Sequence, residues 1–143
     1  MTRPAWIRTL SRTEVGGAVA ALACLPAACS GQVDSDWRLV SIDGKTAAAR
    51  IEVQARTGAG VLSGFDGCNR FTATLAGSRE SGVVREFQTT LIACQDPLVN
   101  ARASRISAVL GGSPRYQRRE DRLVISGSQG RLVFHPADRQ AVN

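Results

Sequence analysis

Two cysteine-bearing stretches constrain this chain most: Gly64-Phe65-Asp66-Gly67-Cys68-Asn69-Arg70-Phe71 and Thr89-Thr90-Leu91-Ile92-Ala93-Cys94. Asp-Gly is a turn dipeptide, because Gly enters φ > 0 without a Cβ clash and Asp bonds its own downstream backbone. After that turn, Phe71, Ala73 and Leu75 alternate at strand period. The second stretch reads as a short β-type run ending in Cys94. Two strand-like segments that each carry a cysteine lead to the expectation of one structural Cys68–Cys94 disulfide. The rival is a thiol, redox or metal site. It is disfavoured because there is no Cys-x-x-Cys and no zinc-ligand spacing.

A disulfide requires an oxidising compartment, and residues 1–29 read as an export signal. Arg3, Arg8 and Arg12 form a basic start, Val15 to Leu25 is apolar, and Pro26-Ala27-Ala28 supplies small residues before a cleavage site. The apolar run is too short to span a bilayer, which takes about 20 residues. Leu25-Pro26-Ala27-Ala28-Cys29 resembles a bacterial lipobox, with the leucine four rather than three positions before the cysteine. Cleavage there would leave Cys29, Cys68 and Cys94, an odd number. If the latter two pair, lipidation accounts for Cys29. The plain alternative is a secretory signal cut near Ala28. The expected location is the cell envelope, with a lipid anchor holding the protein to a membrane.

The rest of the chain is organised as a tether over 30–35, a domain over 36–135 and a tail over 136–143. Asp36 to Ile42 reads as a first strand, with Trp37 and Leu39 on one face and Val40 and Ile42 on the other; Asp43-Gly44 turns it. Arg50 to Ala55 alternates with Ile51, Val53 and Ala55 inward. Thr57 to Gly60 reads as a loop, Val61 to Phe65 as a strand, Ala76 to Ser78 as a turn, and Gly82 to Thr90 as a strand. Phe65, Phe71 and Phe87 are read as core. Short strands separated by glycine turns point to an antiparallel sheet or barrel, not a βαβ protein.

One helix interrupts the pattern. Asp96 suits the N-cap, Pro97 the first helical position and Gly111-Gly112 the end. Val99, Ala103, Ile106 and Leu110 form its apolar stripe, opposite Arg102, Arg105 and Ser107. Strands return with Tyr116, Leu123 and Ile125, and Gly127 to Gly130 reads as a four-residue hairpin loop before Arg131 to His135.

In one order, the chain shows Trp37-x-Leu39-x-x-Ile42-x-Gly44, Gly64-x-x-Gly67-Cys68-Asn69-x-Phe71, Thr90-x-x-Ala93-Cys94, the helix, and Leu132-Val133-Phe134. This resembles a META domain, the HslJ-like family of envelope and heat-shock-associated proteins, over about Asp36 to His135. Where the family usually has Gly and Tyr after Cys-Asn, this chain has Ala73 and Leu75. The resemblance implies a mainly β fold, a curved antiparallel sheet or partial barrel with one packed helix. It also implies no established enzymatic activity and no cofactor.

Other chemistry is sparse. The formal charge of +6 is carried by arginine, with Lys45 the single lysine, and part of it lies ahead of Cys29. So modest an excess argues against nucleic acid as a partner. His135, the single histidine, is expected at the surface at a strand end. Arg115, Arg118, Arg119 and Arg122 form the densest basic cluster and are candidates for anionic contact with lipid headgroups or cell-wall polymer. The plainer alternative pairs them with Glu120 and Asp121 on a solvated hairpin. The expectation is thus a non-enzymatic envelope protein that acts through binding, in stress tolerance or envelope maintenance. Its partner would be an envelope protein or polymer. The alternative is an inhibitor-like module against a wall-degrading enzyme.

Overall fold

The computed structural model describes residues 34–47 and 53–137. Nine strands and one helix occur among them: β1 (Ser35–Ile42), β2 (Lys45–Thr46), β3 (Gln54–Gly58), β4 (Val61–Phe65), β5 (Arg70–Gly77), β6 (Ser81–Thr89), α1 (Pro97–Gly111), β7 (Arg115–Arg118), β8 (Leu123–Gly127) and β9 (Gly130–Pro136). Every neighbouring pair is antiparallel, and β1 also pairs with β9, so β1 and β3 to β9 close into an eight-stranded barrel with β2 appended to β1. Closure removes the exposed sheet edges that invite aggregation. The export signal, Cys29, the tether to residue 33 and the tail from residue 138 lie outside the described residues. Among those described, no helix is long and apolar enough to cross a membrane.

The interior is filled by one side chain in two along each strand, including Trp37, Leu39, Ala55, Leu62, Phe71, Ala73, Val84, Leu123, Ile125, Leu132 and Phe134. Two β-bulges reset this alternation. On β1, Leu39 and Ser41 pair with the adjacent Phe134 and Val133, leaving Val40 as an extra residue. Ile42 therefore packs against the core with Trp37 and Leu39, whereas strict alternation places it on the opposite face. On β6 the pairing steps from Gln88 to Arg85 while β5 steps from Thr72 to Thr74, and Glu86 takes φ 52°. Val84 and Phe87, three apart, thereby both reach the core, and Phe87 lies 6.4 Å from Phe71 ring to ring.

Several boundaries differ from the sequence reading. Thr57 and Gly58 belong to β3, and the turn is the two residues Ala59 and Gly60, both at positive φ, joining the pair Gly58 and Val61. That two-residue geometry follows the right-handed twist of the flanking strands. Gly127 pairs with Gly130, so the last hairpin loop is also two residues rather than four. Ala76 and Gly77 extend β5. The run from Thr90 to Cys94 is not a strand: it leaves the sheet, with Leu91 93% and Ile92 60% exposed. Phe65 is 37% exposed and is not core.

The helix forms as its caps dictate. Asp96 accepts from the amides of Leu98 and Val99, Pro97 opens the first turn, and Gly112 donates back to Val109. Ile106, Val109 and Leu110 enter the barrel's own core, while Val99 and Ala103 pack with Cys68 and Cys94. Val109 joins the expected stripe because it lies beside Leu110 on the same buried arc. The opposite face is less free than its polarity suggests. Arg105 Nε donates to Asp43 Oδ2 at 2.7 Å, and the other Asp43 oxygen accepts the Arg131 amide at 2.9 Å.

Candidate functional site

Strand direction sorts the connections to two ends of the barrel. The β1–β2, β4–β5 and β8–β9 turns and the segment entering α1 lie at one end, which the helix covers. The start of β1, the β3–β4, β5–β6 and β7–β8 turns and the end of β9 lie at the other.

At the helix end the two cysteine stretches meet. Cys68 and Cys94 are joined, with Cα atoms 5.9 Å apart, within the span a disulfide bridges. Asp66, buried, accepts the Cys68 amide at 2.8 Å and the Asn69 amide at 2.6 Å through Oδ1. Asn69 Oδ1 in turn accepts the Thr90 hydroxyl at 3.0 Å and the Ile92 amide at 2.7 Å. The Gly-Cys-Asn and Thr-x-x-Ala-Cys spacing is thus a staple of one covalent and several hydrogen bonds. It holds the loop that delivers the chain to α1. Gly64, just before it, has no room for a side chain: a Cβ there would lie 2.3 Å from the Gln54 carbonyl oxygen and 2.5 Å from the Phe71 ring.

The open end holds a cleft of about 750 Å³, lined from three elements. Ser35 and Trp37 come from β1, Arg79 and Glu80 from the β5–β6 turn, and Arg118 to Asp121 from the end of β7 and the turn after it. Trp37 is buried, and its indole N–H donates to the hydroxyl of the equally buried Thr57 at 2.9 Å. The Arg118 guanidinium lies over the Trp37 ring, 5.5 Å from its centroid, and Nη2 donates to Ser35 Oγ at 2.6 Å. Burial, followed by the like charge of Arg79, pushes the Arg118 pKa down from its ordinary value; the opposing carboxylate of Glu80 acts the other way. Arginine stays protonated under such a shift.

Both turns are fixed. Ser78 Oγ accepts the amides of Glu80 and Ser81, and the buried Tyr116 donates its hydroxyl to the Ser78 carbonyl at 2.6 Å. Burial and the nearby Glu80 charge push the Tyr116 pKa up, so it holds that proton. Arg118 N donates to Glu80 O at 2.7 Å, and Arg119 N to Arg122 O at 2.8 Å.

The four clustered arginines do not converge. Arg118 and Arg119 line the cleft, but Arg115 does not, because it begins β7 toward the helix end of the barrel, whereas Arg118 closes the strand at the open end. Arg122 is turned to Asp121, 3.5 Å away on the surface. Arg79 joins in their place. It was missed because only the pairing of Ser81 with Gln117 brings the β5–β6 turn beside the end of β7. His135 is exposed on β9, in register with Arg38 and at the end away from the disulfide.

The META domain model matches residues 31–139. No curated protein matches the chain. Among solved structures, one NMR structure of a protein is 22% identical with a TM-score of 0.59, covering 73% of this chain and 90% of its own. A second, an NMR structure of a protein from Burkholderia xenovorans, is 20% identical with a TM-score of 0.54, covering 73% and 83%. At these identities the likeness concerns the fold alone.

Proposed function

The chain belongs to the META domain family, and on that premise we propose a non-enzymatic envelope protein, exported and lipid-anchored through Cys29, that acts by binding in stress tolerance or envelope maintenance. The observation that carries the reading is the Cys68–Cys94 bond. A disulfide suits an exported protein, and with those two cysteines joined, Cys29 is the odd one left after signal removal. The binding element in this reading is the cleft at the open end, where fixed turns present arginines and carboxylates around a buried tryptophan. Metabolic labelling with a fatty acid tests the anchor. Label on the wild-type protein and none on Cys29→Ser supports it; equal labelling, or none in either, overturns it. Capture of partners from envelope extract with Cys29 intact tests the binding role.

A second reading, the inhibitor-like module, draws on the stapled loop. Leu91 stands exposed between Asn69's two contacts, Thr90 and Ile92, on a segment tied to the cysteine staple at both neighbours. A rigid, exposed apolar side chain suits insertion into a partner enzyme's groove. Loss of inhibition of wall-degrading activity on Leu91→Asp, with the fold intact, is the result that would favour it.

A further inference from the structure

We propose that the cleft at the open end of the barrel binds a zwitterionic phospholipid headgroup, with its phosphate on Arg79, Arg118 and Arg119 and its ammonium on Glu80 and Glu120. The cleft's position relative to a membrane rests on the lipid anchor proposed above; its chemistry does not.

The lining carries both signs in equal number: Arg79, Arg118 and Arg119 stand among Glu80, Glu120 and Asp121. Charges so arranged would ordinarily pair off. Here the salt bridge at the rim is Asp121 with Arg122, which lies outside the cleft lining, and no salt bridge among the described residues joins the cleft's arginines to Glu80 or Glu120. A simple anion would gain from the arginines but meet the carboxylates beside them. A ligand carrying a phosphate and an ammonium a few bonds apart offers a partner to both signs, and Arg is suited to the phosphate through paired N–H donors.

Part of the site is pre-organised. Arg118 is held by Ser35 and stacked on Trp37 before any ligand arrives, so little side-chain freedom remains to be lost on binding. Arg79 lines the same cleft, and its like charge is one cause of the lowered Arg118 pKa, so an anion bound beside both would relieve that repulsion. A cleft of about 750 Å³ admits a headgroup of this size.

Chain connectivity supplies the source of the ligand. Ser35 lies at the cleft, and the six peptide steps back to Cys29 reach at most about 20 Å. A lipidated Cys29 would therefore allow the open end to reach bilayer headgroups.

The test uses the mature chain with Cys29→Ser, which cannot be lipidated, so that headgroup binding is read apart from the anchor. Trp37 is the one tryptophan after Trp6 is removed with the signal, and its emission reports the cleft. The chain is titrated with phosphatidylcholine vesicles, with the same vesicles containing phosphatidylethanolamine or phosphatidylglycerol, and with soluble O-phosphoethanolamine. A saturable response is expected, tightest with phosphatidylethanolamine, whose ammonium donates hydrogen bonds. The double variant Arg79→Ala and Arg119→Ala, at exposed positions, should weaken it about tenfold or more without moving the unfolding midpoint. Glu80→Gln with Glu120→Gln should remove the preference for phosphatidylethanolamine over phosphatidylglycerol.

Tighter binding to vesicles containing phosphatidylglycerol than to phosphatidylcholine alone overturns the zwitterion assignment, and no gain from phosphatidylethanolamine overturns the contact of the ammonium with Glu80 and Glu120. A response to O-phosphoethanolamine alone overturns the membrane as its source. An undiminished response in the arginine double variant overturns the site. Failure of fatty-acid labelling with this response intact removes the anchor and leaves the headgroup site standing. Labelling without the response does the reverse.

Discussion

Arg105, in the middle of α1, donates to the carboxylate of Asp43, which sits in the β1–β2 turn 62 residues earlier. The same carboxylate accepts from Arg131 at the start of β9, so one aspartate ties helix, turn and hairpin together. The Arg105 hydrogen bond, then the Arg131 amide, hold the Asp43 pKa below its ordinary value. A carboxylate whose folded pKa lies below its unfolded one adds stability above the unfolded value and loses it as pH falls through the folded value. Acid unfolding curves should therefore show a loss of stability below about pH 4 that Asp43→Asn flattens. Curves of identical shape for the two proteins would contradict this.

Helix packing gives a larger effect. Leu110 is 1% exposed within the barrel core, and Leu110→Ala should cost about 2–5 kcal/mol by leaving a cavity. Arg105→Ala removes a solvent-exposed ion pair and should shift the denaturant midpoint far less. Equal midpoints for the two variants would mean that α1 does not seat in the barrel.

The staple at the other cysteine motif separates into covalent and hydrogen-bonded parts. Cys68→Ser should cost about 3–4 kcal/mol in the chain-entropy account of a loop with a separation of 26 residues. Asn69→Ala should leave the disulfide intact but cost about 1–3 kcal/mol. It should also speed hydrogen exchange at the Ile92 amide that Asn69 accepts. Free thiols on both cysteines in the exported protein, detected by alkylation without reductant, would remove the staple and revive thiol chemistry.

Thr57→Val keeps the side-chain shape but strips the acceptor from the buried Trp37 indole. An unsatisfied buried donor costs about 1–3 kcal/mol. Urea unfolding followed by Trp37 emission measures both the loss and the changed indole environment; an unchanged midpoint would show that the bond contributes nothing net.

Gly64→Ala is the backbone counterpart. A methyl group there would collide with the β3 carbonyl of Gln54 and with the Phe71 ring, and neither can yield without moving the sheet. A loss of about 1–3 kcal/mol is expected from such overpacking. A neutral result in thermal unfolding would mean that β3 and β4 separate more easily than their pairing suggests.

The sequence by itself determined the features that residues a few positions apart decide. Asp96, Pro97 and the Gly111-Gly112 pair bounded the helix, because caps are local hydrogen-bond problems. Asp66-Gly67 marked its turn, and the alternation of Phe71, Ala73 and Leu75 marked β5, because both are properties of neighbouring dihedrals. The coupling of Cys68 to Cys94 was legible because they are the two cysteines of the folded domain, although the segment carrying Cys94 is not the strand it reads as.

Tertiary structure alone decided the rest. The bulge at Val40 moves Ile42 onto the core face, and the bulge at Glu86 is how Phe87, read as core, reaches it together with Val84; a bulge follows from what two paired strands must match, not from either strand's sequence. Closure through β1 and β9 is likewise a pairing of residues about a hundred positions apart. The cleft shows the same division most clearly. Sequence proximity gathered Arg115 with Arg118, but the two stand at opposite ends of β7 and, three positions apart, on opposite faces of its pleat. Arg79 stands with Arg118 because antiparallel pairing lays the turn before β6 against the end of β7, a neighbourhood set by register and invisible to spacing along the chain.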